Sequence, residues 1–413
     1  MRRTAAIVVC VGAAAHFLLV LLASMGNMPD LREVFIPSAR AAYAGANLYH
    51  PLPIGAPGVF TVGTSGAVDT PPFLLLMWPW TVMADGPGQA AWLGLQLVSV
   101  VVALALTYRG IGRPTTTELL VAASLVMFLG AVRDSFEDGQ VSTLLGALMA
   151  AAMLGHQRAR PALGGMALGL AGAIKLTPLL TLPYFAWKRD FRMCAWALAT
   201  AAVLFIASIA SGHIRGFAAF PAVISQLSSG TAAAQNQSIG GLVLRFALPD
   251  RTAFPIVPPP AAVRVVVALA QLAVVALLVC LVRRVAVAEP LRSWVEFAVI
   301  LLVLPLVQPF AWPHHWSWAL LAVPVCVHLC SRGLMRRWAA WGLGGAYLLM
   351  TLFEFPLFAA ANASATHPRF DPALALGASL TMFVAVSMGL LVVAGSRPVE
   401  TLPANTGRQA VRA

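Results

Sequence analysis

Asp30, Lys175 and the tandem pair His314-His315 supply the residue types for one kind of chemistry. A carboxylate takes a proton, a buried ammonium holds an anion, and an imidazole does either. The set suits general-base catalysis beside an anionic leaving group. Glu33 follows Asp30 by three residues, on the same face of a helix, and is the second choice for the base. Asp138 and Gln140 stand in Arg133-Asp134-Ser135-Phe136-Glu137-Asp138-Gly139-Gln140, and Asn236, Gln237 and Arg245 lie further on. Each has a blander reading. Asp30 could cap an interface beside Arg32. Asp134, Glu137 and Asp138 could form a solvated turn with Arg133, the favoured reading for Glu137, or bind a divalent ion, although no Asp-x-Asp pair occurs. Lys175 could snorkel to the interface. His314 and His315 beside Trp312 and Trp316 could belong to an aromatic belt, and Arg245 could anchor at the same level. The place of Asp30, directly after the first apolar run, favours catalysis.

The elements that position these residues must be membrane helices. The 413 residues are 60% hydrophobic and 10% charged, with a mean hydropathy of +0.83. Soluble domains carry about 25% charged residues, so an ordinary soluble enzyme, a disordered tail and a disulfide scaffold are excluded. A span needs about 20 mostly apolar residues. Candidate spans fall at about 4–25, 88–108, 118–132, 140–157, 162–174, 177–187, 193–211, 262–282, 294–308, 316–331, 338–358 and 372–394. The expectation is an all-α polytopic membrane protein of about twelve transmembrane helices. Pro71 to Ala84 opens on two prolines and is too short to cross, so it reads as an outer-face interfacial helix. Lys175 and Pro178 fall at a break between two short helices. The five cysteines sit in apolar stretches and imply no disulfide framework.

Loop charge sets the topology. With both termini cytoplasmic, 18 of the 27 basic residues and five of the 15 acids fall inside. The candidate site then faces outward. Basic residues scattered through short loops, without interleaved aromatics, exclude nucleic acid. The chain divides into a module over 1–211 whose long first loop spans 26–88, a second long loop at 212–261, C-terminal helices over 262–394 and a tail at 395–413. Long loops of this kind are usually functional.

Five pieces in order carry a family resemblance: Asp30 with Ala44-Gly45-Ala46-Asn47-Leu48-Tyr49; Pro71-Pro72; Asp138-Gly139-Gln140-Val141; Gly164 through Lys175-Leu176-Thr177-Pro178; and Asn236-Gln237-Ser238 with Trp312-Pro313-His314-His315-Trp316. The sequence resembles glycosyltransferase family 87, of the GT-C fold. The resemblance implies inverting transfer of a hexose, mannose by preference, from a polyprenyl-phosphate donor to a glycolipid or glycan hydroxyl on the extracytoplasmic face of the inner (plasma) membrane. It makes Asp30 the base, gives Lys175 and His315, ahead of His314, the donor phosphate or sugar, and implies neither cofactor nor divalent metal. The chain departs from the family pattern at Asp69-Thr70, Phe35 and Ser142, which bears on the acceptor more than on the donor. A transporter or flippase of a lipid-linked precursor is the alternative. It would need charges along a path through the bilayer, whereas the polar residues here gather at one surface.

Overall fold

A computed structural model of the chain describes residues 2–49, 69–233, 235–247, 259–352, 376 and 379–397. The end of the expected 338–358 span, the start of 372–394, the tail beyond 397 and parts of both expected loops lie outside the described residues. The described residues are helical, joined by turns and two isolated bridges. Among the described residues, four helices are long and apolar enough to cross a membrane. They are α1 (Arg2–Ser24), α5 (Asp85–Ile111), α11 (Phe191–Ala210) and α14 (Ala261–Arg283). With the shorter apolar helices between them, they make this a multi-pass membrane protein.

Several expected spans are broken where the site needs a bend. The 118–132 span becomes α6 (Thr116–Phe128) and α7 (Gly130–Asp138), bent by 54° at an extended Leu129. The interfacial helix over 71–84 divides into α3 (Pro71–Leu76) and α4 (Trp78–Val82), with Pro79 in the first turn of the second. The 294–308 span is α15 (Leu291–Val303) followed by a 3-10 turn that contains Pro305. The 316–331 span starts in a 3-10 turn, Pro313–Trp318, before α16 (Ala319–Ser331). The remaining elements are α2 (Ile36–Tyr43), α8 (Ser142–Gln157), α9 (Pro161–Ile174), α10 (Leu182–Trp187), α12 (Phe220–Leu227), α13 (Ile239–Ala247), α17 (Arg337–Leu352) and α18 (Leu380–Gly395).

Lipid tails are as apolar as leucine, so helices in a bilayer associate by close packing of small residues. The glycines of α9 do this on two faces. A Cβ on Gly155 of α8 would lie 2.6 Å from Gly164 Cα. One on Gly165 would lie 2.5 Å from Met193 O, and one on Gly169 2.4 Å from Ala197 O, both in α11. The Gly165-x-x-x-Gly169 spacing therefore clamps α9 against α11, with Lys175 at its end. Gly169→Leu is expected to cost about 1–3 kcal/mol or more through overpacking, read as a lower thermal midpoint in detergent. Gly94→Leu, where nothing lies within 4 Å of the added atom, should leave the midpoint unchanged.

The ends of the helices remote from Asp30 carry a second polar layer. Glu296, 0% exposed, binds Lys188 Nζ at 2.5 Å and Arg292 Nε at 2.9 Å and accepts from Tyr184 Oη at 3.1 Å. His156 Nδ1 meets Asp190 at 2.7 Å, and Glu118 faces His328 at 3.2 Å and Arg332 at 3.6 Å. Burial makes such contacts firmer than exposed ion pairs.

Candidate active site

The site is built on the turn Asp138-Gly139-Gln140. Gly139 closes α7 in the left-handed region (φ +73°). An added Cβ there would lie 2.7 Å from Leu31 Cβ and 2.9 Å from Met28 Cβ, so glycine alone admits the segment after α1. Met28 N donates to Glu137 O at 3.1 Å, and Trp92 Nε1 donates to Gly139 O at 2.8 Å. Asp30 opens a π-helical turn, Asp30–Phe35, on this docked segment. Such turns recur at functional sites. Gln140 Nε2 donates to Asp30 Oδ2, while Gln140 N is fixed on Ser135 O at 2.8 Å. Glu33, one turn on, is exposed.

His314 sits across from Asp30, only 3% exposed. Its Nδ1 lies 3.4 Å from Asp134 Oδ2 and 3.6 Å from Asp138 Oδ2. Burial disfavours its charge, but the two carboxylates outweigh burial and raise its pKa above the ordinary value. Burial pushes the Asp30 carboxyl above the usual carboxylate range. His314, Gln140 and Lys175 oppose that shift, and Asp138 adds to it.

Lys175 leaves the end of α9 in an extended conformation (φ −147°, ψ 129°). Its Nζ meets His315 Nε2 at 2.8 Å. Burial brings the ammonium down to about 8, while Asp69 and Asp30 hold it up. His315, buried and next to that ammonium, is pushed well below its ordinary value. It is therefore neutral, and its Nε2 accepts from Lys175. The tandem histidines, with ring centroids 4.9 Å apart, thus divide the work: His314 faces the carboxylates and His315 orients the cation.

Asn236 and Arg245 stand behind this layer. Asn236 Nδ2 donates to Thr231 O and Pro309 O, both at 2.9 Å, and its Oδ1 accepts from Ala311 N at 3.0 Å. Arg245 donates to Ala233 O and Asn236 O, both at 2.8 Å. Both side chains bond to backbone and brace the stretch that leads into His314-His315. Among the described residues, neither bonds to Asp30 or Lys175.

Two more residues lie at the site, named from the sequence without being chosen as site residues: Asp134, as part of a turn or ion site, and Asp69, as a departure from the family pattern. Asp134, one helical turn before Asp138, shares its face, and that i, i+4 spacing was the available signal. Asp69 faces Lys175 and Asp30 and carries no comparable signal. One metal-ligand set is present among the described residues. Asp30, Asp138 and His314 each place a ligand atom within 4.8 Å of the others, a spacing that fits a divalent cation.

Residues 68–309 match glycosyltransferase family 87, and the chain belongs to that family. It is similar to a polyprenol-phosphate-mannose-dependent alpha-(1-2)-phosphatidylinositol mannoside mannosyltransferase of Mycolicibacterium smegmatis, 30% identical over 242 residues. That match covers 56% of this chain and about half, 51%, of the relative's own length. A protein of the same description from Mycobacterium tuberculosis is 29% identical over 327 residues, 75% of this chain and 71% of the relative. The crystal structure of ArnT from Cupriavidus metallidurans bound to undecaprenyl phosphate aligns over 93% of this chain and 77% of its own, with 14% identity and a TM-score of 0.45.

Proposed function

We propose that the chain transfers a hexose, mannose by analogy with its relatives, from a polyprenyl-phosphate donor to a hydroxyl of a glycolipid or glycan, as a GT-C-type enzyme. One observation carries the reading: a carboxylate, Asp30, is oriented by Gln140 and acts on the charge of a cation, Lys175, held by a neutral imidazole. Asp30 takes the proton of the acceptor hydroxyl. The oxygen attacks carbon 1 of the sugar as the bond to the phosphate oxygen breaks. The electron pair leaves with the polyprenyl phosphate, whose growing charge Lys175 stabilises. A single displacement with a base and no protein nucleophile inverts the anomeric centre. His314, whose pKa Asp134 and Asp138 raise, opposes the burial that lifts Asp30.

The polar layer at Glu296, Lys188 and Arg332 is rich in the basic residues expected to stay cytoplasmic. The site at the other helix ends then faces the outside of the plasma membrane. The division into 1–211, 212–261, 262–394 and 395–413, with about twelve crossings and both termini inside, belongs to the same reading.

The test supplies membranes bearing the full chain with radiolabelled polyprenyl-phosphate mannose and phosphatidylinositol mannosides. Labelled glycolipid is expected, and a chelator such as EDTA should leave the rate within about two-fold, because the reading gives the leaving phosphate to Lys175 and not to a metal. Loss with EDTA and recovery with Mn2+ or Mg2+ would instead assign Asp30, Asp138 and His314 to a metal. Translocated but untransferred donor would identify a flippase.

A further inference from the structure

Asp69 is a half-buried titratable group that the mechanism above leaves unused. Its position is fixed on both sides. Tyr49 Oη donates to Asp69 O at 2.7 Å. The adjacent Thr70 Oγ1 donates to Ala173 O and to Ile174 O, the latter at 3.0 Å. Those are the last two residues before Lys175, so Asp69 and Lys175 are pinned on either side of one short bridge. Asp69 Oδ2 is buried, with no hydrogen-bond partner among the described residues. Unmet buried oxygens are rare in folded proteins and call for an explanation.

The neighbours supply one. Burial lowers Lys175 most, and of the charges that oppose it Asp69 acts more strongly than Asp30, yet among the described residues Nζ forms an ion pair of 4.0 Å or less with neither. One of its N–H groups goes to His315, which leaves the ammonium further donors, and both carboxylates act on its charge. In the proposed reaction Lys175 holds the phosphate and Asp30 meets the acceptor. The sugar ring is bonded to the first and attacked by the second, so it must occupy the space that these groups enclose. Asp69 faces that same space.

We propose that Asp69 determines donor-sugar specificity, its carboxyl oxygen accepting a hydrogen bond from a ring hydroxyl of the sugar whose phosphate Lys175 holds. The inference rests on the transferase reading given above. A carboxyl suits the task because hydrogen bonds to a charged acceptor are the strong ones. Burial raises Asp69 to about 7, against the pull of Lys175, so near neutrality both an accepting and a donating form are present. A site built to bond a hydroxyl rejects the analogue that lacks it far more strongly than an apolar pocket rejects a lost methylene.

The experiment compares short-chain polyprenyl-phosphate mannose with its 2-, 3-, 4- and 6-deoxy forms as donors for the full chain and for Asp69→Asn and Asp69→Ala. In the unmodified protein one deoxy donor should lose about 10²-fold in kcat/KM. In Asp69→Ala that donor should match mannose within about three-fold, because a contact already removed is not lost twice. Asp69→Asn, close to isosteric, should keep part of the discrimination and reports on the site even if Asp69→Ala folds poorly. The proposal is overturned if the unmodified protein penalises no deoxy donor. It is also overturned if both variants slow all donors by one factor with every deoxy penalty intact, since Asp69 would then act through Lys175. Failure of the unmodified protein to transfer from mannosyl donor itself would instead overturn the transferase reading.

Discussion

Asp30→Asn is expected to lower kcat for sugar transfer by about 10²–10⁴-fold, the range a general base contributes, with KM for the donor within a few-fold. The amide keeps the shape of the carboxylate, and its oxygen still accepts from Gln140 Nε2, so the docking of Met28 and Leu31 on Gly139 is preserved. What disappears is the group proposed to take a proton from the acceptor. Because that acceptance occurs only as the new bond forms, the loss belongs in kcat rather than in binding. Initial rates over a range of donor and acceptor concentrations give the measurement. A larger effect for Glu33→Gln than for Asp30→Asn would move the base to the exposed carboxylate and overturn the mechanism.

Lys175→Ala should reduce kcat/KM by about 10²–10³-fold, the effect of deleting one charge-stabilising donor. Its pH behaviour is more diagnostic. Burial lowers Lys175 to about 8, so it is cationic below that pH and neutral above it. The free enzyme should therefore lose kcat/KM as pH rises through about 8, well short of the ordinary lysine range. On the acid side Asp30 must be ionised, and its raised pKa moves that limb above the usual carboxylate range. The kcat/KM profile is thus a narrow bell set by a carboxylate that must be deprotonated and an ammonium that must stay protonated. Lys175→Arg should keep measurable activity and remove the alkaline limb, since arginine does not deprotonate in this range. An unchanged alkaline limb in that variant would show that Lys175 does not set it.

The charged positions of the site were legible because ionisable residues are conspicuous in an apolar chain. Asp30, Lys175 and the histidine pair stood out for that reason, and Gly139 reads as a turn. Their division of labour was not legible. Adjacent histidines look alike in sequence, and only the approach of His315 to Lys175 and of His314 to Asp134 tells them apart. Asn236 and Arg245 looked equally polar, but their bonds run to backbone carbonyls that a sequence does not bring together. The fold was legible as apolar runs, while their interruptions were not. Hydropathy averages over Leu129 and Pro305, where the chain bends or tightens without becoming polar.

The ionic knot at Glu296, Lys188 and Arg292 bears on logistics as well as stability. A charged side chain costs about 2.5–3.5 kcal/mol at the bilayer centre on insertion scales, so these groups hold their helix ends at a membrane surface. In the proposed reading that surface is the cytoplasmic one, and the candidate site at the other helix ends meets the outer leaflet. On that reading, a sugar-charged lipid assembled on the opposite leaflet would have to be ferried across by separate machinery first.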